Sequence, residues 1–141
     1  MRNMKYAPLA LSFAALSLRG ETGYHVEARY PVPQPSGFDY IMLDSLARRL
    51  YLSHGTQVDV IDADGGKVVG AIPDTPGVHG IAIASEFKHG FVSNGREDTV
   101  SMFDPATLRL IKKINVGKGP NGIYYDRSLR CASPLQRALQ P

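Results

Sequence analysis

His54 and His79 are the residues in this chain best placed to do chemistry, because imidazoles from adjacent units could share a metal ion. Protein metal sites normally take three or four protein ligands, and no third ligand is placed by the sequence. The reading of both as turn and junction residues, hydrogen-bonded to backbone, is therefore preferred. His25 and His89 fall elsewhere, so the histidines do not converge. Asp62-Ala63-Asp64-Gly65 has the beginning of a calcium loop but lacks its third acidic position and the distant bidentate glutamate. It reads as a turn whose aspartates cap backbone amides. Ser53 is not framed by Gly-x-Ser-x-Gly and is no nucleophile elbow. Gly95-Arg96-Glu97-Asp98 is a solvated loop, and no Gly-rich phosphate motif opens a helix. No catalytic residue, metal or cofactor is assigned, and the chain leans towards a non-enzymatic role.

The elements that hold these residues follow from an internal repeat. "GVHGI" at 77–81 returns as "GPNGI" at 119–123. With two residues inserted after Gly95, Ile41 aligns with Ile81, Tyr51 with Phe91, Ser53 with Ser93 and Gly55 with Gly95. Beyond it Val58 aligns with Val100, Asp62 with Asp104, Ile72 with Ile114 and Gly77 with Gly119. The period is 40 to 42 residues. Apolar residues alternate at a period of two, so the units are strands. In the second copy these are Ile81–Ile83, Gly90–Ser93, Val100–Phe103 and the more charged Leu108–Val116, the outer edge. "YHVEARYPV" at 24–32 reads as a lone fourth strand of a preceding unit, and no helix is expected after the leader.

Four antiparallel strands in about 40 residues, repeated in tandem, form a β-propeller blade. The fold class is all-β, with full blades at 39–78 and 79–120 and a third begun at 121–130. Gly77, Gly80, Gly119 and Gly122 serve the tight crossing between blades, where a Cβ would not fit. Ile81 and Ile123 then open inner strands and pack between blades. In this meander His54, His79, Asn94, Arg96 and Asn121 share the disc face near the channel mouth, and they are the ligand-face candidates.

The stretches 48–84 and 90–126 resemble the YVTN-repeat β-propellers, in particular the YncE-like proteins. The resemblance covers residues 24–126. It implies an exported ring with a binding or interaction role for an unknown ligand or protein partner. Related rings include lactonases, quinoprotein dehydrogenase subunits and the haem d1 domain of nitrite reductase, which leaves an enzymatic or electron-transfer alternative. DNA binding is a further one by family analogy.

Charge speaks against nucleic acid. The formal net charge is +3, yet all 13 acidic residues lie between Glu21 and Asp126, with only 10 of the 16 basic ones. The basic excess belongs to the ends. Cys131 is the sole cysteine, which excludes an intramolecular disulfide framework. Residues 1–20 have two early cations, then Ala7 to Leu18 without charge, then polar residues, the order of a signal peptide. Periplasmic or extracellular export follows, or an uncleaved N-terminal anchor. The apolar run is short of the ~20 residues that span a bilayer.

The repeat register places Ser133 on Phe91 and Pro134 on Val92. Proline removes a ladder hydrogen bond from a central strand, so 131–141 is expected to leave the blade as a non-repeat tail. A truncated or shifted reading frame near residue 130 would explain that departure. Two blades expose edges and faces, so missing blades or self-association are expected to supply stability.

Overall fold

A computed structural model describes residues 23–32 and 37–136. They form ten strands: β1 (Phe38–Asp44), β2 (Arg49–His54), β3 (Gln57–Asp62), β4 (Val68–Ile72), β5 (Val78–Ala84), β6 (His89–Asn94), β7 (Thr99–Phe103), β8 (Leu110–Asn115), β9 (Pro120–Asp126) and β10 (Cys131–Gln136). Two four-stranded sheets, β1-β2-β3-β4 and β5-β6-β7-β8, and a two-stranded sheet, β9-β10, keep sequence order throughout. All pairing is antiparallel, so each sheet is a meander.

The alternation that predicts the strands also decides how the sheets stack. Tyr51, Val58, Val60 and Ile72 of the first sheet form one cluster with Val78, Ile81, Val92 and Phe103 of the second. Full burial of such a side chain contributes about 1.5–3 kcal/mol, so this contact is the main cohesive element. The rings of Tyr51 and Phe103 lie 6.0 Å apart and tilted by 47°. Burial pushes the Tyr51 phenol upward from its ordinary range.

Each inner strand slips register near its start, between Phe38 and Ile41 in β1 and between Val78 and Ile81 in β5. Such a bulge strands backbone groups that need partners. Ser53 supplies them in β1: its Oγ accepts from the Tyr40 amide at 2.6 Å and donates to the Tyr40 carbonyl at 3.1 Å. Ser93 does the same in β5, accepting from the Gly80 amide at 2.9 Å. The repeated serine is a backbone brace.

The crossings between sheets need glycine. Gly77 and Gly119 have φ of +65° and +57°, a region L side chains rarely occupy. At Gly80 an added Cβ would stand 2.5 Å from the Ile123 amide nitrogen, so the inner strands β5 and β9 approach only because that position is bare.

Several expectations are corrected. Residues 24–32 form no strand. Their pattern is right for one, but no strand among the described residues pairs with them. Residues 131–136, expected to leave the blade, form β10 and pair with β9, with Pro134 opposite Ile123. That register matches the pairing of Val92 with Ile81. Proline is accommodated because β10 has no third strand beside it among the described residues. The fourth strand starts at Leu110 instead of Leu108, whose φ of +61° cannot continue a strand. Ser85–Phe87 is a single 3₁₀ turn where no helix is expected. The signal-like residues 1–20 and the last five residues lie outside the described ones.

Candidate functional site

Phe38, Val78 and Pro120 hold the same register position in the three inner strands, opposite His54, Asn94 and Gln136. The residues that follow them, Asp39, His79 and Asn121, therefore form a row across the stack at one end of the inner strands. His79 Nδ1 is hydrogen-bonded to Asp39 Oδ2, which joins two blades. Both side chains remain partly open, 28% for His79 and 42% for Asp39. With Nδ1 engaged by a carboxylate, Nε2 of a neutral ring is the acceptor. Asn121 Oδ1 is buried without a hydrogen-bond partner among the described residues, while its backbone carbonyl accepts from Ser93 Oγ. Gly95 lies beside this row: a Cβ there would meet the His79 ring at 2.9 Å and the Pro120 carbonyl at 3.2 Å. The row can exchange hydrogen bonds with a polar ligand.

The other ligand-face candidates do different work. His54 is buried, its Nδ1 2.9 Å from Asp59 Oδ2, and Gln57 donates to the other Asp59 oxygen at 2.6 Å. Phe38 stacks on the His54 ring with centroids 4.5 Å apart. Asn94 occupies the equivalent place in the second blade and donates to Thr99 Oγ1 at 2.9 Å and Ser101 Oγ at 2.8 Å. Its Oδ1 is buried and unpartnered. These two networks brace the β2–β3 and β6–β7 hairpins. Arg96 lies over Gly77, and its amide donates to the Pro76 carbonyl at 3.3 Å. His54 and His79 are thus each tied to an aspartate of their own, and no group of three or more metal-ligating side chains occurs among the described residues.

The repeat glycines sit where the turns are. Gly55 accepts from the Gly77 amide at 2.9 Å, and Gly77 in turn accepts from the Gly95 amide at 2.9 Å. Gly119 donates to Asp98 Oδ1 at 2.8 Å. Gly122 faces Leu135, 3.4 Å from where a Cβ would stand. Ile81 is buried and Ile123 half-buried between sheets.

Sequence reasoning missed Asp39 and Asp59, the partners of both histidines. Asp39 was findable, since it precedes His79 by 40 residues, one repeat period. Also missed was a cleft of about 430 Å³ between the first two blades, on the side of the β1–β2, β5–β6 and β7–β8 turns. Ile83 and Pro105 supply its apolar wall, and Asp44, Arg49, Lys88 and Asp104 its rim. Arg49 is already engaged, donating to the Pro105 carbonyl at 2.6 Å. Asp44 and Asp104 each accept two backbone amides. Asp62 and Asp126 cap their turns in the same way, Asp62 accepting from the amides of Asp64 and Gly65.

No family model matches this sequence, and no curated protein matches it. Among solved structures it is similar to hydrazine synthase of Kuenenia stuttgartiensis, with a TM-score of 0.68 and 25% identity over 83% of this chain. The chain spans 32% of that one, a protein that contains a β-propeller. The fold is all-β and propeller-like. Its four-stranded sheets are the blades, and β9-β10 is the inner half of a third.

Proposed function

We propose that this chain is a non-enzymatic binding scaffold of the YncE-like, YVTN-repeat type, exported to the periplasm or beyond. It holds a polar ligand or protein partner at the mouth of the inner strands. The observation that carries this reading is the row Asp39, His79 and Asn121, with one histidine fixed by a carboxylate and one buried carbonyl oxygen left free. Export is supported by the charge order of residues 1–20. Titrating the labelled protein with a panel of sugars, organic acids and divalent cations, read by NMR, tests the site. Shifts confined to His79, Asn121 and their neighbours, lost in His79→Ala and Asn121→Ala, are expected. Shifts confined to Lys88 and Arg49 would move the site to the cleft.

The likeness to a hydrazine synthase favours a second reading, in which the blades derive from an enzymatic or electron-transfer ring. Metal analysis separates the two. Stoichiometric metal lost in both His54→Ala and His79→Ala would support the second reading. Nucleic acid is the least supported partner, because the acidic middle of the chain opposes it.

A further inference from the structure

Arg49 and Tyr51 stand two residues apart on β2, so both side chains project from one face of that strand, the face turned to the second blade. Phe103 meets the Tyr51 ring there, and the Pro105 carbonyl takes one N–H of Arg49 at 2.6 Å. The cleft of about 430 Å³ opens beside these contacts, within the range of about 300–1,000 Å³ usual for small-molecule sites. Its charged groups are unevenly committed. Asp44 Oδ1 accepts the Leu46 and Ala47 amides, and Asp104 Oδ1 accepts those of Ala106 and Thr107. The cations are freer. Arg49 has further N–H groups besides the one given to Pro105, and exposed Lys88 enters no ion pair among the described residues. A left-handed φ of +55° at Lys88 ends the Ser85–Phe87 turn and sets that residue on the cleft rim.

The Tyr51 hydroxyl points to a ligand. The residue is 0% exposed, and its hydroxyl has no hydrogen-bond partner among the described residues. Burial pushes the phenol pKa up, the Arg49 guanidinium opposes that and the Asp44 carboxylate adds to it, so the oxygen stands by two residues that line the cleft. A buried hydroxyl without a partner costs stability. Packing does not require it: the repeat puts Phe91 at the equivalent position, and His89 where the first blade has Arg49. This donor set is therefore particular to the first interface rather than a product of the repeat.

We propose that the cleft is a second binding site, independent of the Asp39, His79 and Asn121 row, for a small apolar carboxylic acid. The hydrocarbon body lies against Ile83 and Pro105, and the carboxylate accepts from Lys88, Arg49 and the Tyr51 hydroxyl. Uncommitted donors call for an acceptor ligand, and the mainly apolar wall calls for a hydrocarbon body. The flanking Asp44 and Asp104 carboxylates favour a single negative charge over a phosphate dianion, because like charges repel more as the ligand's charge grows.

Amide NMR of the labelled full chain titrated with phenylbutyrate tests this, with phenylbutanol and inorganic phosphate as the other probes. Phenylbutyrate produces saturable shifts at Ser85, Lys88 and Ala106 and leaves His79 and Asn121 unmoved. Phenylbutanol binds about tenfold more weakly or worse, and phosphate does not compete. Tyr51→Phe weakens phenylbutyrate by about tenfold without lowering the melting temperature, since it removes a hydroxyl that the unliganded protein leaves unpaired. Lys88→Met weakens it by about threefold with unchanged circular dichroism. Arg49 is left intact because it also braces Pro105. Equal affinity for the alcohol, full competition by phosphate, or undiminished affinity in Tyr51→Phe overturns the proposal. So do shifts centred on His79 and Asn121, or a silent cleft, and a silent cleft leaves the reading of the row untouched.

Discussion

Ser93 touches the Gly80 amide, the Gly80 carbonyl and the Asn121 carbonyl, and its side chain is completely buried. Removing its hydroxyl leaves backbone groups in a bulge without partners, and each such loss costs about 1–3 kcal/mol. Ser93→Ala is therefore expected to lower the urea midpoint by that equivalent with an unchanged m value; a loss under about 0.5 kcal/mol would contradict the brace. The capping aspartates act through protonation. The Ala106 amide holds Asp104 below the ordinary carboxylate range, and Ser128 does the same for Asp126. A depressed folded pKa contributes stability above the unfolded value near 4 and loses it as pH falls through the folded value. Asp104→Asn should thus be less stable than the unmodified chain at pH 6, and the difference should shrink by pH 2 in thermal melts. Because Asp104 is only partly buried, the effect is small.

Each sheet is a repeat unit that cannot bury both of its faces, so cohesion comes from contacts between neighbours. Phe103 shows where that energy sits, since it is fully buried against Tyr51 across the first interface. Truncating it leaves a cavity as well as lost transfer energy. Phe103→Ala should cost about 3–5 kcal/mol in denaturant titration, and a cost below about 1 kcal/mol would mean the sheets do not depend on each other there. The edge strand β8 behaves differently. Lys113 bridges Glu97 at 2.7 Å and Asp74 at 3.0 Å, tying the outer strand to both flanking loops. Partly exposed ion pairs contribute about 0–1 kcal/mol, so Lys113→Met should change stability little and lessen its salt dependence. At this scale the hairpins were readable from alternating apolar residues and turn signals. The extent of β8 was not, because Leu108 continues the apolar pattern while its backbone turns left-handed.

Taken whole, the described residues form a stack whose two outer sheets differ. At the β1 end Ile41 is 64% exposed, although its equivalent Ile81 is 7% exposed between sheets. At the β10 end Tyr124 and Leu135 stand open. Deleting residues 119–141 removes the cover over Phe91 and Val100, so the shortened chain should melt lower and bind more of an apolar dye. Equal dye binding would show that β9 and β10 contribute nothing to the stack.

The repeat itself, its strands and the glycines at its crossings were determined by the sequence, because backbone freedom and period-two burial are local constraints that recur every 40 to 42 residues. Tertiary structure alone decided which polar groups meet. His79 finds Asp39 across a blade boundary, whereas His54 finds Asp59 within its own hairpin, although both histidines read alike in the sequence. It also decided that 24–32, with the pattern of a strand, pairs with no strand among the described residues, while 131–136, with a proline, pairs. A strand needs a neighbour to receive its hydrogen bonds, and the presence of that neighbour is a property of the assembled sheet rather than of the segment.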